Sequence, residues 1–252
     1  MKYKLLIFFS LIIISCKYKE KSSVETNNIK LEDTLQNSSN SKPNKVYIPF
    51  EYDCKCPENK FTSVKADTVF TLKNNRQIAL CGYRNNDNTF SEFILSDCDE
   101  KTVINFWDAL TVCDVRTDND KLMVKKIIQL PVGKQKAFEP IVWTIEKLYF
   151  DEGEIKRSLI INPEFPKYTT QETDLIIKEY ETQKLEQNEN YIKLAYYLFT
   201  AAISGSETAK QYFYEFPQKV KLPDGAYSEE YNDLKNRMQE FENLESAKTK
   251  QY

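Results

Sequence analysis

The sequence predicts an α+β protein in which an antiparallel β domain, a sandwich or an open barrel, is followed by a helical carboxyl-terminal segment. Residues 46–162 contain short apolar runs separated by polar clusters, a pattern typical of strands joined by turns. Pro163 and Pro166 then mark a change of pattern, and beyond them the apolar residues recur at helical intervals. We therefore place the β domain at residues 46–165 and the helical segment at residues 166–252.

Three turn clusters divide the β domain into hairpins. Residues 151–153, Asp-Glu-Gly, separate two β-rich runs and indicate a hairpin loop. Residues 84–88 and 117–120 are rich in asparagine and aspartate, which favour turns. Residues 114–120 space their oxygens like a calcium loop but lack the glycine of an EF-hand, so we interpret them as a hairpin tip. The predicted strands cover residues 69–72, 77–83, 89–95, 122–130, 141–150 and 155–161.

The predicted strand 122–130 carries one charged residue on an otherwise apolar face. Side chains alternate between the two faces of a strand, so its even-numbered residues share a face. Lys126 is the exception on that face. The other four residues are Leu122, Val124, Ile128 and Leu130.

The helical segment is expected to contain three or four helices, and the spacing of apolar residues defines three of them. The first covers residues 191–203, and Gly205 is well placed to end it. The second covers residues 207–216 and is expected to stop at Pro217, because proline lacks the N–H that a helix interior needs. The third has one apolar stripe, formed by Tyr231, Leu234, Met238, Phe241 and Leu244.

The first residues have the layout of a secretory signal. Lys2 and Lys4 precede an apolar run that is shorter than the roughly 20 residues a membrane-spanning helix needs. Cys16 comes directly after this run and follows the small residue Ser15. A cysteine in this position resembles the lipobox of bacterial lipoproteins. The resemblance implies that signal peptidase II removes residues 1–15, and that the Cys16 thiol and the new amino terminus are acylated, with chains such as palmitate. An ordinary secretory signal and an uncleaved anchor are the alternatives.

Residues 16–45 form the expected lipidated tether. They are rich in Lys, Glu, Ser, Asn and Thr, and bury too little apolar surface to offset the entropy of ordering. Acyl chains, at about 0.8 kcal/mol per buried methylene, would hold such a protein on a membrane. Lys17 stands where some lipoproteins carry the aspartate that retains them in the inner membrane. We therefore expect a lipid anchor in the outer membrane and a periplasmic or surface-facing protein.

The composition excludes several classes of function. The chain has 35 basic and 38 acidic side chains, interspersed, without the basic stripe that nucleic-acid binding requires. It has no histidine, so it cannot form a Ser-His-Asp triad or an imidazole zinc site. Its five glycines are scattered and form no phosphate-binding loop. We expect no nucleic-acid partner, no cofactor and no bound metal, and the chemistry that is left is that of carboxylates, lysine and tyrosine.

Five cysteines follow Cys16, and all of them lie in the predicted β domain. In an oxidising envelope we expect one or two disulfides, with one cysteine free if two form. Cys54 and Cys56 are so close in sequence that they would pair with each other only under strain, so each is expected to pair elsewhere. A thiolate metal site and a redox pair are the alternatives. The disulfide candidates are Cys54, Cys56, Cys81, Cys98 and Cys113.

Aromatic residues are frequent in the helical segment. Tyrosine combines an apolar ring with a polar hydroxyl, which suits interfaces. Packing of the helices on one another and on the sheet is the alternative. Two acidic clusters, at residues 97–100 and 151–154, are interpreted as loop charges rather than as a glycosidase pair. The interface candidates are Tyr196, Tyr197, Tyr212 and Tyr214.

These observations predict a membrane-anchored envelope lipoprotein that acts as a non-catalytic binding or interaction module. Its partners would be the membrane, through the amino-terminal lipid, and a protein of the envelope. An immunity-type lipoprotein that neutralises an incoming toxin and an accessory subunit of an envelope assembly are two forms of this hypothesis. The alternative is a carboxylate-dependent hydrolase acting on envelope glycans, which requires two carboxyl groups facing each other in a cleft.

Replacing the predicted lipidation site tests the leader directly. Cys16→Ala removes the thiol that would be acylated, so we expect the variant to be uncleaved or unlipidated. Metabolic labelling of cells with a fatty-acid analogue should label the wild-type protein and fail to label the variant. Label in the Cys16→Ala protein would contradict the lipobox assignment.

Overall fold

The computed structural model describes residues 54–58, 65–182, 190–220 and 225–249, and the predicted signal, Cys16 and the tether lie outside them. The described residues form eight strands and four helices, with the strands first in the chain. The strands are β1 Thr68–Thr71, β2 Gln77–Arg84, β3 Phe90–Asp97, β4 Thr102–Trp107, β5 Val112–Asp118, β6 Lys121–Val132, β7 Ala137–Asp151 and β8 Glu154–Ile161. The helices are α1 Thr170–Thr182, α2 Asn190–Ile203, α3 Glu207–Val220 and α4 Ala226–Thr249.

The eight described strands form one antiparallel sheet in the order β1-β2-β3-β5-β6-β7-β8, with β4 also paired to β3. The predicted α+β class, an antiparallel sheet followed by helices, is confirmed. The hairpin predicted at residues 151–153 joins β7 to β8, and its two turn residues, Glu152 (φ 49°) and Gly153 (φ 86°), have the positive φ values of a type I′ turn. The hairpins predicted at residues 84–88 and 117–120 join β2 to β3 and β5 to β6.

Two strands, β4 and β5, were not among those predicted. β5 covers most of the segment interpreted as a hairpin tip, and only Asn119 and Asp120 form the turn. Its inward residues Cys113 and Val115 alternate with charged outward residues, so its oxygen-rich side obscured the strand pattern. In β4 the alternation is interrupted because Ile104 is skipped in the pairing with β3.

The sheet curves so strongly that β8, at one end of the strand order, approaches β4. β4 and β5 both pair with the same edge of β3, so the sheet turns back across its own concave face. On the opposite side, Arg157 of β8 donates a hydrogen bond from Nη1 to the carbonyl oxygen of Ile104 in β4, at 3.3 Å. Buried apolar side chains of β1 to β7 form a core that fills the concave face. The arrangement is closer to an open barrel than to two stacked sheets. Its largest fully buried side chains include Phe90, Phe93, Leu80, Leu95, Leu122 and Leu148.

Two disulfides, Cys54–Cys98 and Cys56–Cys81, attach the segment before β1 to the convex side of the sheet. The prediction of disulfides in this region is confirmed, and Cys113 is the free cysteine among the described residues. The bridges and Ala79 form a small core of their own on the second face of β2 and β3. Each bridge is of the kind that contributes about 2–4 kcal/mol by restricting the unfolded chain.

A second large core joins the helices to strands β6, β7 and β8. Its centre is Trp143, whose side chain is fully buried. Lys126 pairs with Thr144 and Ile127 with Val142, so Trp143 is skipped in the ladder and forms a β-bulge. A bulge redirects a side chain relative to the regular alternation of the strand. Here the bulge allows the indole ring to pack among the rings of Phe165, Phe199 and Phe241 on the helical side.

Local signals fix the ends of two helices. Gly205 (φ 108°) follows α2 and donates its N–H to the carbonyl of Ala202, while Ser206 donates to Ala201. These bonds form a Schellman motif, which confirms the predicted stop. At the start of α1, Glu172 and Thr169 bond reciprocally through side chain and backbone in a capping box.

The predicted stop at Pro217 is wrong, because α3 continues through this proline to Val220. Proline leaves the carbonyl of the residue four positions earlier without its helical donor, and that residue is Phe213. The hydroxyl of Tyr231 in α4 donates a hydrogen bond to this carbonyl oxygen at 2.7 Å. A donor from another helix therefore satisfies the interrupted position, and the last turn of α3 is held by the burial of Val220 in the helical core.

The contact between Tyr231 and Phe213 predicts non-additive effects on stability. Tyr231→Phe leaves a buried carbonyl without a donor and should lower the free energy of unfolding by about 1–3 kcal/mol. In a Pro217→Ala background the restored N–H can donate to Phe213, so the same substitution should cost less.

Urea unfolding of both single variants and the double variant measures this coupling. Tyr227→Phe is the matched control, since it removes a hydroxyl from a half-buried tyrosine of the same helix. Equal costs of Tyr231→Phe in the two backgrounds would contradict the assignment.

Candidate functional site

A cavity of about 540 Å³ opens where the curved sheet meets α4. We call it the polar cavity. Strands β4, β6, β7 and β8 supply most of its wall, and α4 supplies one residue, Glu240. Two cationic and three carboxylate side chains line it, together with apolar and aromatic groups. Its lining residues are Asn105, Phe106, Trp107, Asp108, Thr111, Val124, Lys126, Thr144, Glu146, Arg157, Leu159 and Glu240.

The register of the sheet brings the charged side chains to one face. Lys126 lies directly opposite Thr144, and Glu146 lies opposite both Val124 and Leu159. Directly paired residues of antiparallel strands project to the same side, so these residues form adjacent rows on the concave face. They separate the core inside the sheet from the core beneath the helices. The polar cavity therefore occupies the boundary between two apolar cores.

Two ion pairs hold the carboxylates of the cavity. Arg157 donates from Nε to Oε1 of Glu146 at 2.5 Å, and Glu146 is only 7% exposed. Lys126 Nζ lies 3.7 Å from Oε2 of Glu240. The same oxygen accepts a hydrogen bond from Nε1 of Trp143 at 2.8 Å. Glu240 thus satisfies the buried indole N–H and balances the charge of Lys126 at once.

Several polar groups in the cavity have bonding capacity to spare. The 3.7 Å separation between Lys126 and Glu240 is longer than a hydrogen bond, and no described residue accepts one from Lys126 Nζ. Arg157 uses Nε and Nη1, and within the described residues no acceptor contacts Nη2. The arrangement therefore offers donors to a ligand that enters the cavity.

Exposed apolar side chains occur in and beside the lining of the cavity. Phe106 is 47% exposed and Leu159 is 42% exposed, and both belong to the lining. Leu110, in the turn between β4 and β5, is 91% exposed. Asp108 caps this turn by accepting bonds from the Leu110 N–H and the Thr111 hydroxyl. Leu159, on the edge strand β8, is thus the exposed apolar residue of the rim, and the turn at Asp108 is structurally defined.

The acidic clusters singled out in the sequence do not contribute to the cavity. Asp97 is buried rather than solvated, because Arg76 donates to its Oδ2 and the backbone N–H groups of Asp99 and Glu100 donate to its Oδ1. In the second cluster, a hydrogen bond from Lys156 lowers the pKa of Glu154. Asp97 therefore has a structural role, while the second cluster lies at the exposed turn between β7 and β8.

The four tyrosines predicted as interface residues are partly buried against the helical core. Tyr196 contacts Phe138 edge to face at 5.0 Å, and burial, together with Glu230, raises the pKa of Tyr196. Tyr197 lies beneath the ammonium of Lys136, 4.4 Å from the ring centre.

The other two tyrosines form hydrogen bonds within the chain. Tyr212 donates its hydroxyl to Glu181 at 2.7 Å, and Tyr214 donates to Glu242 at 3.3 Å. Each of the four thus has an intramolecular contact, and their role at an interface stays a prediction.

Cys113 lies opposite Lys126 in the pairing of β5 with β6 and is fully buried. Burial disfavours the thiolate and raises the pKa of Cys113 to about 12, although Lys126 acts in the opposite direction. The thiol therefore stays protonated at neutral pH and behaves as an apolar core group.

Two further findings concern the part of the chain that the structure describes. None of its helices combines the length and the apolar character that a membrane crossing requires. Within the same ranges, no cluster of three or more histidine, cysteine, aspartate or glutamate side chains is arranged to hold a metal ion.

Comparison with protein-family models, with curated proteins and with solved structures finds no match for this chain. The function must therefore be argued from the cavity itself.

The sequence contained one signal for this site. Lys126 is the single charged residue on the apolar face predicted for residues 122–130, and it lines the cavity. Thr144 and Glu146 likewise interrupt the apolar run of β7. Arg157 and Glu240 carried no such signal, because their place in the site depends on pairing and packing between distant parts of the chain.

The hydrogen bond between Trp143 and Glu240 predicts a measurable contribution to stability. Glu240→Ala leaves the indole N–H of a fully buried side chain unsatisfied, so the free energy of unfolding should fall by about 1–3 kcal/mol. Glu240→Gln keeps an acceptor and should cost less. Gln239→Ala, at the exposed neighbouring position of α4, is the control and should be nearly neutral. Equal stability of the two alanine variants in urea unfolding would show that Glu240 does not hold Trp143.

Proposed function

We propose that this chain is a lipid-anchored, non-catalytic binding module of the bacterial envelope, and that the polar cavity is its binding site. The observation that carries the proposal is a cavity of about 540 Å³ in which charged side chains face one another from rigid strands with spare hydrogen-bonding capacity. Sites of this size, with apolar walls and a few placed polar groups, are typical of ligand binding.

The proposed location rests on the leader and on the cysteines. The lipobox at Cys16 supports export and anchoring in the outer membrane, and two disulfides are consistent with an oxidising compartment. The ligand is then a group presented in the envelope, either free or carried by an envelope component. An immunity-type or accessory role fits this scheme if that component is a protein.

The state of the carboxylates supports binding rather than catalysis. A glycosidase needs one carboxyl group that donates a proton and a second that acts as a nucleophile or base. Glu146 accepts a hydrogen bond from Arg157, and Glu240 accepts one from Trp143, so each functions as an acceptor in this arrangement. The hydrolase stays the second candidate, because these two carboxylates line one cavity.

Blocking the cavity tests the proposal. Leu159→Trp places a large ring at the rim on edge strand β8, where folding should tolerate it. Cross-linking in intact cells, followed by mass spectrometry, should recover an envelope component with the wild-type protein. The variant should recover at least about tenfold less of that component, which corresponds to a loss of about 1.4 kcal/mol in binding free energy. Leu175→Trp is the control, since Leu175 is 58% exposed on α1 and lies outside this cavity.

Recovery of the same component with both tryptophan variants would place the binding surface elsewhere. The hydrolase is tested separately by incubating the purified full-length protein with peptidoglycan and measuring new reducing ends. We expect none above buffer. Turnover that is lost in Glu146→Gln, while binding is kept, would replace the binding module with a carboxylate-dependent enzyme.

A further inference from the structure

The balance of charge in the polar cavity limits the class of ligand. Lys126 and Arg157 each have a carboxylate partner, and Asp108 adds one further negative charge. A strongly anionic ligand would meet three carboxylates, and a strongly cationic one would compete with two cations already in place. The cavity is therefore suited to a ligand without a large net charge.

The hydrogen-bonding groups favour hydroxyls over a zwitterion. The carboxylate of a zwitterion would have to share Lys126 with Glu240 or Arg157 with Glu146, because both cations already have a carboxylate partner. A hydroxyl donates one hydrogen bond and accepts others, so it can bond a cation and its carboxylate partner together. Both ion pairs then persist. Asn105 adds a carboxamide that donates and accepts in the same cavity.

An aromatic wall supplies the apolar part of the site. Trp107 lines the cavity, and Phe93 stacks on one face of its ring at 4.6 Å between centroids. Because Phe93 covers one face, a ligand in the cavity would contact the other face or the edge of the indole. Phe106 also contributes to the lining, but it pairs with Ile94, so its ring projects to the face of β4 opposite Trp107. Aromatic rings carry a negative face, which attracts the weakly positive C–H groups of a saturated ring.

We infer that the polar cavity binds a neutral carbohydrate of one or two rings, an inference that rests on the proposed function. Sugar rings present hydroxyl groups at their edges and C–H groups on their faces, which matches charged pairs on one side and the Trp107 ring on the other. The cavity volume of about 540 Å³ is in the range of small-molecule sites. The rim residues leave the mouth open, so the sugar can be the end of a longer glycan.

Saturation-transfer NMR on the full-length protein in detergent tests the class of ligand. The probes are a panel of neutral mono- and disaccharides that includes the N-acetylglucosamine dimer, with glycylglycine as the zwitterion and succinate as the anion. We expect at least one saccharide to bind, and neither comparator. Asn105→Ala and Glu146→Gln should each weaken that binding by at least about tenfold, as expected for lost contacts worth about 1.4 kcal/mol. Leu175→Ala, outside the cavity, should leave it unchanged.

Asn105→Ala alters a partly buried side chain of the edge strand β4, so it keeps the test decisive if Glu146→Gln fails to fold. Binding of glycylglycine or succinate that is lost in Leu159→Trp would overturn the carbohydrate assignment while leaving the binding module intact. Saccharide binding that survives Asn105→Ala, or the absence of any saccharide binding, would also overturn the carbohydrate assignment. If, in addition, Leu159→Trp leaves the cross-linked component unchanged, the proposed function fails as well.

Discussion

Burial of the Trp143 indole ring among the helices also buries its N–H, which then needs a hydrogen-bond acceptor. Helix α4 supplies both a packing partner for the ring and the acceptor. The ring packs against Phe241 and the N–H bonds to Glu240, neighbouring residues of that helix. The bulge in β7 that turns Trp143 toward the helices also breaks the ladder beside Lys126. Asn162 satisfies the carbonyl groups at this break, because its side-chain amide donates to Val142 and its backbone N–H donates to Trp143. The docking of the helices, the shape of the sheet and the end wall of the cavity all depend on this arrangement.

Burying polar residues between two apolar cores lowers the free energy of unfolding unless those residues are paired. Here the cost is limited, because Arg157 and Glu146 satisfy each other and Glu240 is shared between Trp143 and Lys126. A fully apolar boundary would have packed the two cores into one. The retained charges keep a space open that apolar side chains would have filled, which is the physical basis for treating the boundary as a site.

The turns could be predicted from residues that are adjacent in the sequence. The site could not, because its residues come together only through contacts between distant parts of the chain. Residues 151–153 and Gly205 act through their own backbone conformations, so the hairpin and the helix stop could be foreseen. The error at Pro217 has a non-local cause, since the donor that rescues the helix comes from Tyr231. The cavity is non-local in the same way, because Trp143 and Glu240 are 97 positions apart. In the sequence, the local signals of the site were the polar interruptions of two apolar runs, at Lys126 and at Thr144 and Glu146.

The disulfides also decide how the protein responds to a mechanical pull. The two bridges join Cys54 to Cys98, directly after β3, and Cys56 to Cys81 in β2. Tension that arrives from the amino-terminal side therefore passes through covalent bonds into β2 and the end of β3. The short edge strand β1 lies in sequence between the bridged cysteines, so it is bypassed and carries little of that force. The sheet would move as one body, and this edge strand would be shielded from peeling.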